Sequence, residues 1–194
     1  NCCIRRNVLD KGRMIYKMKA FDLFGFQVEI DEVATKEWYD KAEEWSCECG
    51  DCRHFVALAK KKELPSDVLD ILEQIGITPE KATYVCEIIT EEHKVLYQFS
   101  YRMVGNISEE KDGGTKKFGW GEVCCGHEPY PYGAPGFPTP HFDLEFWVRL
   151  PKQYKYSDIE DFLMHGRELE FVYHGRECAI TNHTKRWWFY DGVE

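Results

Sequence analysis

The sequence predicts an α+β protein in which helices come early, strands come late, and the sheet is mainly antiparallel. Helical periodicity is concentrated between residues 34 and 76, whereas apolar and polar residues alternate over much of the chain from residue 83 onwards. Runs of strands without intervening helices favour antiparallel pairing over a doubly wound parallel sheet. With 43% hydrophobic and 15% aromatic residues, the 194-residue chain has enough apolar material for one core and a small appendage.

The first elements are predicted to be a β-hairpin and a helix. Residues 20–30 alternate around a central glycine, which is typical of a hairpin. Residues 34–45 carry Trp38, Ala42 and Trp45 at helical spacing. We therefore expect one continuous helix with these three side chains on the same face.

Two further helices and a series of strands follow. One helix begins near Cys52, and another runs from Ser66 until Gly76 ends it. Alternation predicts strands at 83–89, 97–103, 116–124 and 142–148. In the last of these strands Asp143 and Glu145 alternate with apolar residues, so we expect both carboxylates on a solvated face.

The chain is expected to have three parts. Residues 1–17 are predicted to be an extension, because the segment from Met18 has the pattern of a protein start. Residues 18–150 form the main α+β domain. Residues 151–194 predict a small appendage of one helix and three short strands, at about 168–173, 176–181 and 185–190. An appendage of this size cannot hold a core alone, so it should pack on the main domain, on another copy or on a partner.

Charge and hydropathy exclude several classes of function. The net charge of -9 comes from 34 acidic and 25 basic residues, and an acidic surface repels a phosphate backbone. Nucleic acid is therefore disfavoured as a partner, whereas a protein partner or a homo-oligomer stays open. The sequence offers neither an apolar run of membrane-span length nor a signal-peptide core, which predicts no membrane partner and a cytoplasmic location.

The cysteines are the sharpest chemical feature. There are nine, an odd number, and in a protein without a secretory segment they favour reduced thiols or a metal site over a disulfide framework. The C-x2-C spacing of Cys49 and Cys52 lets two thiolates converge on one soft cation. A single zinc site would have as ligands Cys49, Cys52, Cys124 and His127, with Cys47 and Cys125 as alternates.

Two other interpretations of the cysteines stay open. Free cysteine is often buried, and the residues alone favour the plainer interpretation that the thiols are reduced, with Cys124 or Cys125 facing the core. Alternatively, Cys49 and Cys52 stand where a helix starts, and a helix N-terminus lowers a thiol pKa, as thiol redox chemistry requires. The predicted helix before Cys49, where a thioredoxin-like site has a strand, weighs against redox.

A proline-rich loop and an aromatic terminus are further candidates for binding. The loop runs from His127 to His141 and suits either a strap over the core or a stiff binding segment. Its two histidines, with a neighbouring carboxylate, would be the site of a metal-dependent hydrolase. Near the C-terminus Trp187, Trp188 and Tyr190 are expected to pack on the appendage helix, or to form a protein–protein surface if they are exposed.

Three segments carry a family resemblance. They are Trp45-Ser-Cys-Glu-Cys-Gly-Asp-Cys-Arg53, Leu72-Glu-Gln-Ile-Gly-Ile-Thr-Pro-Glu-Lys-Ala82 and His127-Glu-Pro-Tyr-Pro-Tyr-Gly-Ala-Pro-Gly-Phe-Pro138. Together they resemble a family of small uncharacterised bacterial proteins, over about residues 18–150. The segment from Phe162 to Gly175 is similar to a short module in other small bacterial proteins. The resemblance implies a bacterial, cytoplasmic setting and carries no activity, cofactor or residue role.

The sequence therefore predicts a non-enzymatic binding or interaction protein with a structural zinc site. The alternatives are a metal-dependent hydrolase-like enzyme that uses His127 and His141, and a thiol redox protein that uses Cys49 and Cys52.

Overall fold

The structure, a computed structural model, describes residues 17–45, 47, 49–91, 93–108, 114–127, 133–152, 159, 163–165, 168–183 and 186–191. It confirms the α+β class, with helices and a large antiparallel sheet in one compact unit, Asn1–Lys152, and a small sheet in a second unit, Gln153–Glu194. In the part of the chain that is described, no helix is long and apolar enough to cross a membrane.

The large sheet of the first unit is built from seven strands in the described residues. They are β1 Lys19–Leu23, β2 Phe26–Ile30, β3 Tyr84–Thr90, β4 Lys94–Ile107, β5 Lys116–Phe118, β6 Gly121–Gly126 and β7 His141–Pro151. The order is β1-β2-β4-β7-β6-β5, β3 also pairs with β4, and every pairing is antiparallel. The predicted hairpin is confirmed, whereas the single strand predicted at 116–124 is two strands joined by a turn at Gly119 and Trp120.

Three α-helices are described: α1 Glu32–Lys41, α2 Gly50–Lys60 and α3 Ser66–Ile75. The α3 helix ends at Gly76, whose φ of +83° is left-handed and suits glycine. The expectation that α1 continues to Trp45 is wrong, because Ala42 is extended and ends the helix. The next residues, Glu43 and Glu44, would bring negative charge to the C-terminal end of the helix dipole, where it is unfavourable.

The long strand β4 lies at the centre of the sheet, and side chains of α1 hydrogen-bond to part of one edge of β4. β3 pairs with the first half of that edge and β2 with its last residues, so a gap lies between them. The hydroxyl of Tyr39 fills it by accepting from Arg102 N and donating to Arg102 O, at 3.0 and 3.1 Å. Thr35 Oγ1 accepts from Val104 N at 3.0 Å. Side chains of α1 thus satisfy backbone groups that would otherwise be buried without partners.

One face of the sheet packs against α2. Phe55 of this helix contacts the rings of Tyr97 and Phe99, with ring centroids 5.7 and 4.8 Å apart. Phe146 of β7 stacks on Phe99 at 5.2 Å and extends the core across the sheet. This packing fixes the start of α2 over β3, and that position determines the candidate site.

The opposite face carries a buried ion pair beneath the described part of the proline-rich loop. Asp143 was expected on a solvated face, yet it is 1% exposed and accepts from Arg102 Nε at 2.8 Å. Phe137 of the loop covers the pair, with its ring centroid 5.9 Å from the guanidinium carbon. The residues 133–140 therefore act as a strap, and residues 128–132 lie outside the described part.

The second unit contains a three-stranded antiparallel sheet. Its strands are β8 Leu169–Tyr173, β9 Arg176–His183 and β10 Arg186–Tyr190, in the order β10-β9-β8. A turn at His174 and Gly175, both with positive φ, joins the first two strands, between the segments predicted as strands at 168–173 and 176–181. The helix predicted for the appendage falls largely outside the described residues.

Candidate metal centre

Three cysteine sulfurs converge where α2 begins. The Sγ atoms of Cys47, Cys49 and Cys52 all lie within 4.8 Å of one another, and those of Cys47 and Cys49 are 3.2 Å apart. Tetrahedral zinc with Zn–S bonds of about 2.3 Å holds its sulfurs about 3.8 Å apart. The 3.2 Å separation is shorter than this value and the other two do not exceed 4.8 Å, so the three sulfurs lie close to the spacing of zinc ligands.

The local backbone explains why these sulfurs meet. Cys49 is the N-cap of α2, and its sulfur accepts a hydrogen bond from Cys52 N at 3.4 Å. This cap places Cys52 one turn into the helix, on the side that faces the sheet. The Cys52 thiol is buried and lies 3.9 Å from the carbonyl oxygen of Val85 on β3. The C-x2-C spacing thus puts one sulfur at the surface and one against the sheet.

The two helix cysteines have opposite acid–base behaviour. The pKa of Cys49 is lowered, mainly by the hydrogen bond from the Cys52 backbone and further by the side chains of Cys47 and Cys52. Burial raises the pKa of Cys52 to about 12, and the neighbouring cysteines raise it as well. A cation that replaces the proton relieves the cost of placing a negative sulfur at the buried position.

Trp45 interacts with the buried member of the group, Cys52. Its indole Nε1 is buried and has no full hydrogen-bond partner among the described residues. The side chain instead interacts with the Cys52 thiol, and this interaction lowers the pKa of Cys52, against the larger effect of burial. An N–H group beside a sulfur stabilises the thiolate form, as such donors do around metal-bound thiolates.

The surroundings of the cysteines are rich in negative charge. Asp51 and Glu87 interact through their carboxyl groups. The pKa of Glu87 is raised: its hydrogen bond with Thr90 acts to lower it, but the Asp51 carboxyl and burial outweigh that effect. The pKa of Tyr97 is raised by burial first, then by Glu87, Asp51 and the cysteines. Lys152 acts on Glu87 in the opposite sense and lowers its pKa. The two carboxyl groups outnumber this positive charge and favour a bound cation.

The other predicted ligands lie elsewhere in the first unit. Val85, beside Cys52, is in register with Phe99, Phe146 and Val123 across β3, β4, β7 and β6. Three strand spacings separate Val85 from Val123, about 14 Å. Cys124 follows Val123, so it is not brought to the Cys49–Cys52 group.

The remaining sulfurs and histidines of the prediction have separate environments. Burial and Glu145 raise the pKa of Cys124 to about 11, and burial and Cys124 raise that of Cys125 to about 12. His127 is exposed after β6. His141 Nδ1 lies 2.8 Å from the carbonyl oxygen of Pro138, to which it donates. Within the described ranges, no group of three metal-ligating side chains includes either histidine.

Cys47 is only an alternate ligand in the sequence prediction, whereas in the structure it is the third member of the group. The signal was present in the spacing C-x-C-x2-C, which keeps all three sulfurs within one short segment. The spacing did not reveal the interaction of Trp45 with Cys52, because it assigned Trp45 to a continuous α1, on the same face as Trp38 and Ala42.

Comparison with protein-family models, with curated proteins and with solved structures finds no match to this chain.

Proposed function

We propose that the first unit binds one zinc ion through the thiolates of Cys47, Cys49 and Cys52. The observation that carries this proposal is the convergence of the three sulfurs within 4.8 Å of one another. Two features support it: the carboxyl groups of Asp51 and Glu87 attract a cation, and the indole N–H of Trp45 stabilises the thiolate of Cys52.

The metal's function is to fix a surface for binding rather than to perform a reaction. Zinc would tie Cys47, which precedes the helix, to α2 and through Cys52 to β3. Metal binding is then part of the folding free energy of this corner of the sheet. Zinc thiolates and the free cysteines of the described residues suit a reducing compartment, and the proposal therefore includes a cytoplasmic location.

Elemental mass spectrometry of the purified chain tests the zinc proposal. We expect about one equivalent of zinc, lost on chelation together with the appearance of three titratable thiols. Cys49→Ser and Cys52→Ser should abolish retention of zinc, whereas Cys124→Ser, the matched control, should keep it. Loss of zinc in Cys124→Ser would instead favour the four-ligand site predicted from the sequence, and a Cys49–Cys52 disulfide without metal would favour thiol redox chemistry.

A second function, self-association, is favoured by the exposed strand of the second unit. All five residues of β10 are exposed, and Trp188 and Phe189 are 59% and 63% exposed. β10 is an edge strand in the order β10-β9-β8. After Arg186 at its start, the strand is aromatic, from Trp187 to Tyr190. Such an apolar edge can pair antiparallel with its own copy, because that contact is self-complementary.

Light scattering over a range of concentrations tests self-association. We expect a dimer for the parent chain and a monomer for Trp188→Ser. The control is Val33→Ser, which removes an apolar residue of similar exposure, 61%, from the first unit. A concentration-independent monomer for the parent chain would rule the dimer out.

A further inference from the structure

The three sulfurs of the candidate metal centre form a triangle with one protected side and one open side. Cys52 is buried against β3, whereas Cys47 and Cys49 are exposed. Trp45 lies on the protected side, where its indole interacts with Cys52. In a metal ion bound to all three sulfurs, the side opposite Cys52 therefore faces solvent.

Zinc bound to three protein ligands keeps a fourth position, which water or a substrate occupies in catalytic sites. Among the residues that the structure describes, no histidine, aspartate, glutamate or further cysteine joins the group of three. The nearby carboxyl groups of Asp51 and Glu87 interact with each other.

Resting on the proposed zinc site, we propose that the fourth position of the metal is open and takes an exogenous small thiol, bound as its thiolate. Three thiolates and Zn²⁺ leave the centre with a single net negative charge. Together with Asp51 and Glu87, this charge repels phosphate and carboxylate ligands. A thiol arrives neutral, so it meets no such repulsion, and its sulfur matches the soft donor set that is already present.

The binding step exchanges water for sulfur. The S–H bond of the ligand breaks, a Zn–S bond forms, the bound water leaves and one proton passes to the buffer. A coordinated thiol is deprotonated near neutral pH. The site would thus hold an exogenous thiolate at a pH where the free thiol is protonated.

Cobalt substitution under anaerobic conditions tests the proposal, because Co²⁺ reports its ligands in its visible spectrum and zinc does not. The probe is 2-mercaptoethanol, and ethylene glycol, its oxygen analogue, is the control ligand. We expect 2-mercaptoethanol to cause a saturable 1:1 increase in sulfur-to-cobalt charge-transfer absorption, with release of one proton per site, and ethylene glycol to cause neither. Gel filtration after the titration should recover one cobalt per chain.

Variants of the chain test which side chains bind the cobalt. Cys124→Ser should give the same titration as the parent chain, while Cys47→Ser should show weaker charge transfer before and after addition of the thiol. Glu48→Gln and the double variant Cys2→Ser/Cys3→Ser remove donors that the chain itself could supply. Both should titrate as the parent chain does.

Two results would overturn the proposal while leaving the zinc site intact: a four-thiolate spectrum before any thiol is added, or bound cobalt whose spectrum does not respond to the thiol. Removal of the cobalt by the thiol would overturn it equally. Failure of both cobalt and zinc to bind would overturn the proposed function, and this inference with it.

Discussion

Replacing Trp45 with phenylalanine isolates the contribution of one N–H group to the proposed metal binding. The substitution keeps an aromatic ring against Tyr84, whose centroid lies 6.4 Å from that of Trp45, and keeps the backbone hydrogen bond from Trp45 N to Glu80 O. It deletes Nε1, the atom that interacts with the Cys52 thiol. The expected loss is therefore specific to the metal-bound state.

The expected changes in metal affinity and in stability follow from comparing the metal-bound and the metal-free protein. When Cys52 is a metal-bound thiolate, loss of an outer donor lowers metal affinity by about 10–100-fold, or about 1.4–2.7 kcal/mol. In the metal-free protein Nε1 has no full partner, and removing a buried unpaired donor recovers about 1–3 kcal/mol. The smaller ring loses about 2 kcal/mol of burial, so the two effects nearly cancel and stability of the metal-free chain should change by about 1 kcal/mol or less.

The assay pairs zinc competition against a chromophoric chelator with urea unfolding of the metal-free chain. Trp38→Phe is the control, since Trp38 packs on Phe137 with ring centroids 4.7 Å apart and takes no part in the metal group. Zinc affinity of Trp45→Phe within twofold of the parent value would refute the reasoning. So would a large loss of stability in the metal-free variant, which would make Trp45 a packing residue only.

Three further predictions concern the stability of the first unit. Tyr39→Phe removes the hydroxyl that hydrogen-bonds a backbone N–H and a carbonyl of β4. Urea unfolding should therefore show a free energy of unfolding lower by about 2–4 kcal/mol, and a decrease below about 1 kcal/mol would contradict the role given to the hydroxyl. Gly133→Ala places a Cβ 1.5 Å from a backbone oxygen and should lower the free energy of unfolding by about 1–3 kcal/mol in the same assay. In the control, Gly126→Ala, the added Cβ meets nothing within 4 Å, so the free energy of unfolding should change by about 0.5 kcal/mol or less. Burial raises the folded pKa of Cys125 to about 12, above its unfolded value, so its contribution to stability is complete below about pH 8 and falls as pH rises towards 12. Between pH 8 and 10 the metal-free chain should lose about 1–2 kcal/mol from this thiol, and Cys125→Ala should show a correspondingly shallower decline.

The local elements could be predicted because their signals are local. The Gly76 stop of α3, the hairpin at 20–30 and the alternation in β4 and β7 each depend on neighbouring residues, and the structure confirms them. The end of α1 was missed because helical spacing at Trp38, Ala42 and Trp45 outweighed the unfavourable charge of the two glutamates that follow Ala42.

Features that depend on topology could not be predicted from the sequence. Alternation showed Asp143 on the polar side of its strand, but only the fold shows that the strap covers that side. In the same way, the sequence spacing of Cys47, Cys49 and Cys52 identified a group of neighbouring cysteines but not its distance from Cys124. The distance to Cys124 depends on two strands, β4 and β7, lying between β3 and β6, an order that no periodicity reveals.

The most direct test of the account is to map, residue by residue, which thiols zinc protects from alkylation. The chain is labelled with and without one equivalent of zinc, digested, and its nine cysteines are compared by peptide mass spectrometry. We predict protection of Cys47, Cys49 and Cys52, with no change at Cys86, Cys124 or Cys125. Protection of Cys124 together with Cys49 and Cys52, or the same labelling at all nine with and without zinc, would contradict the three-cysteine metal centre.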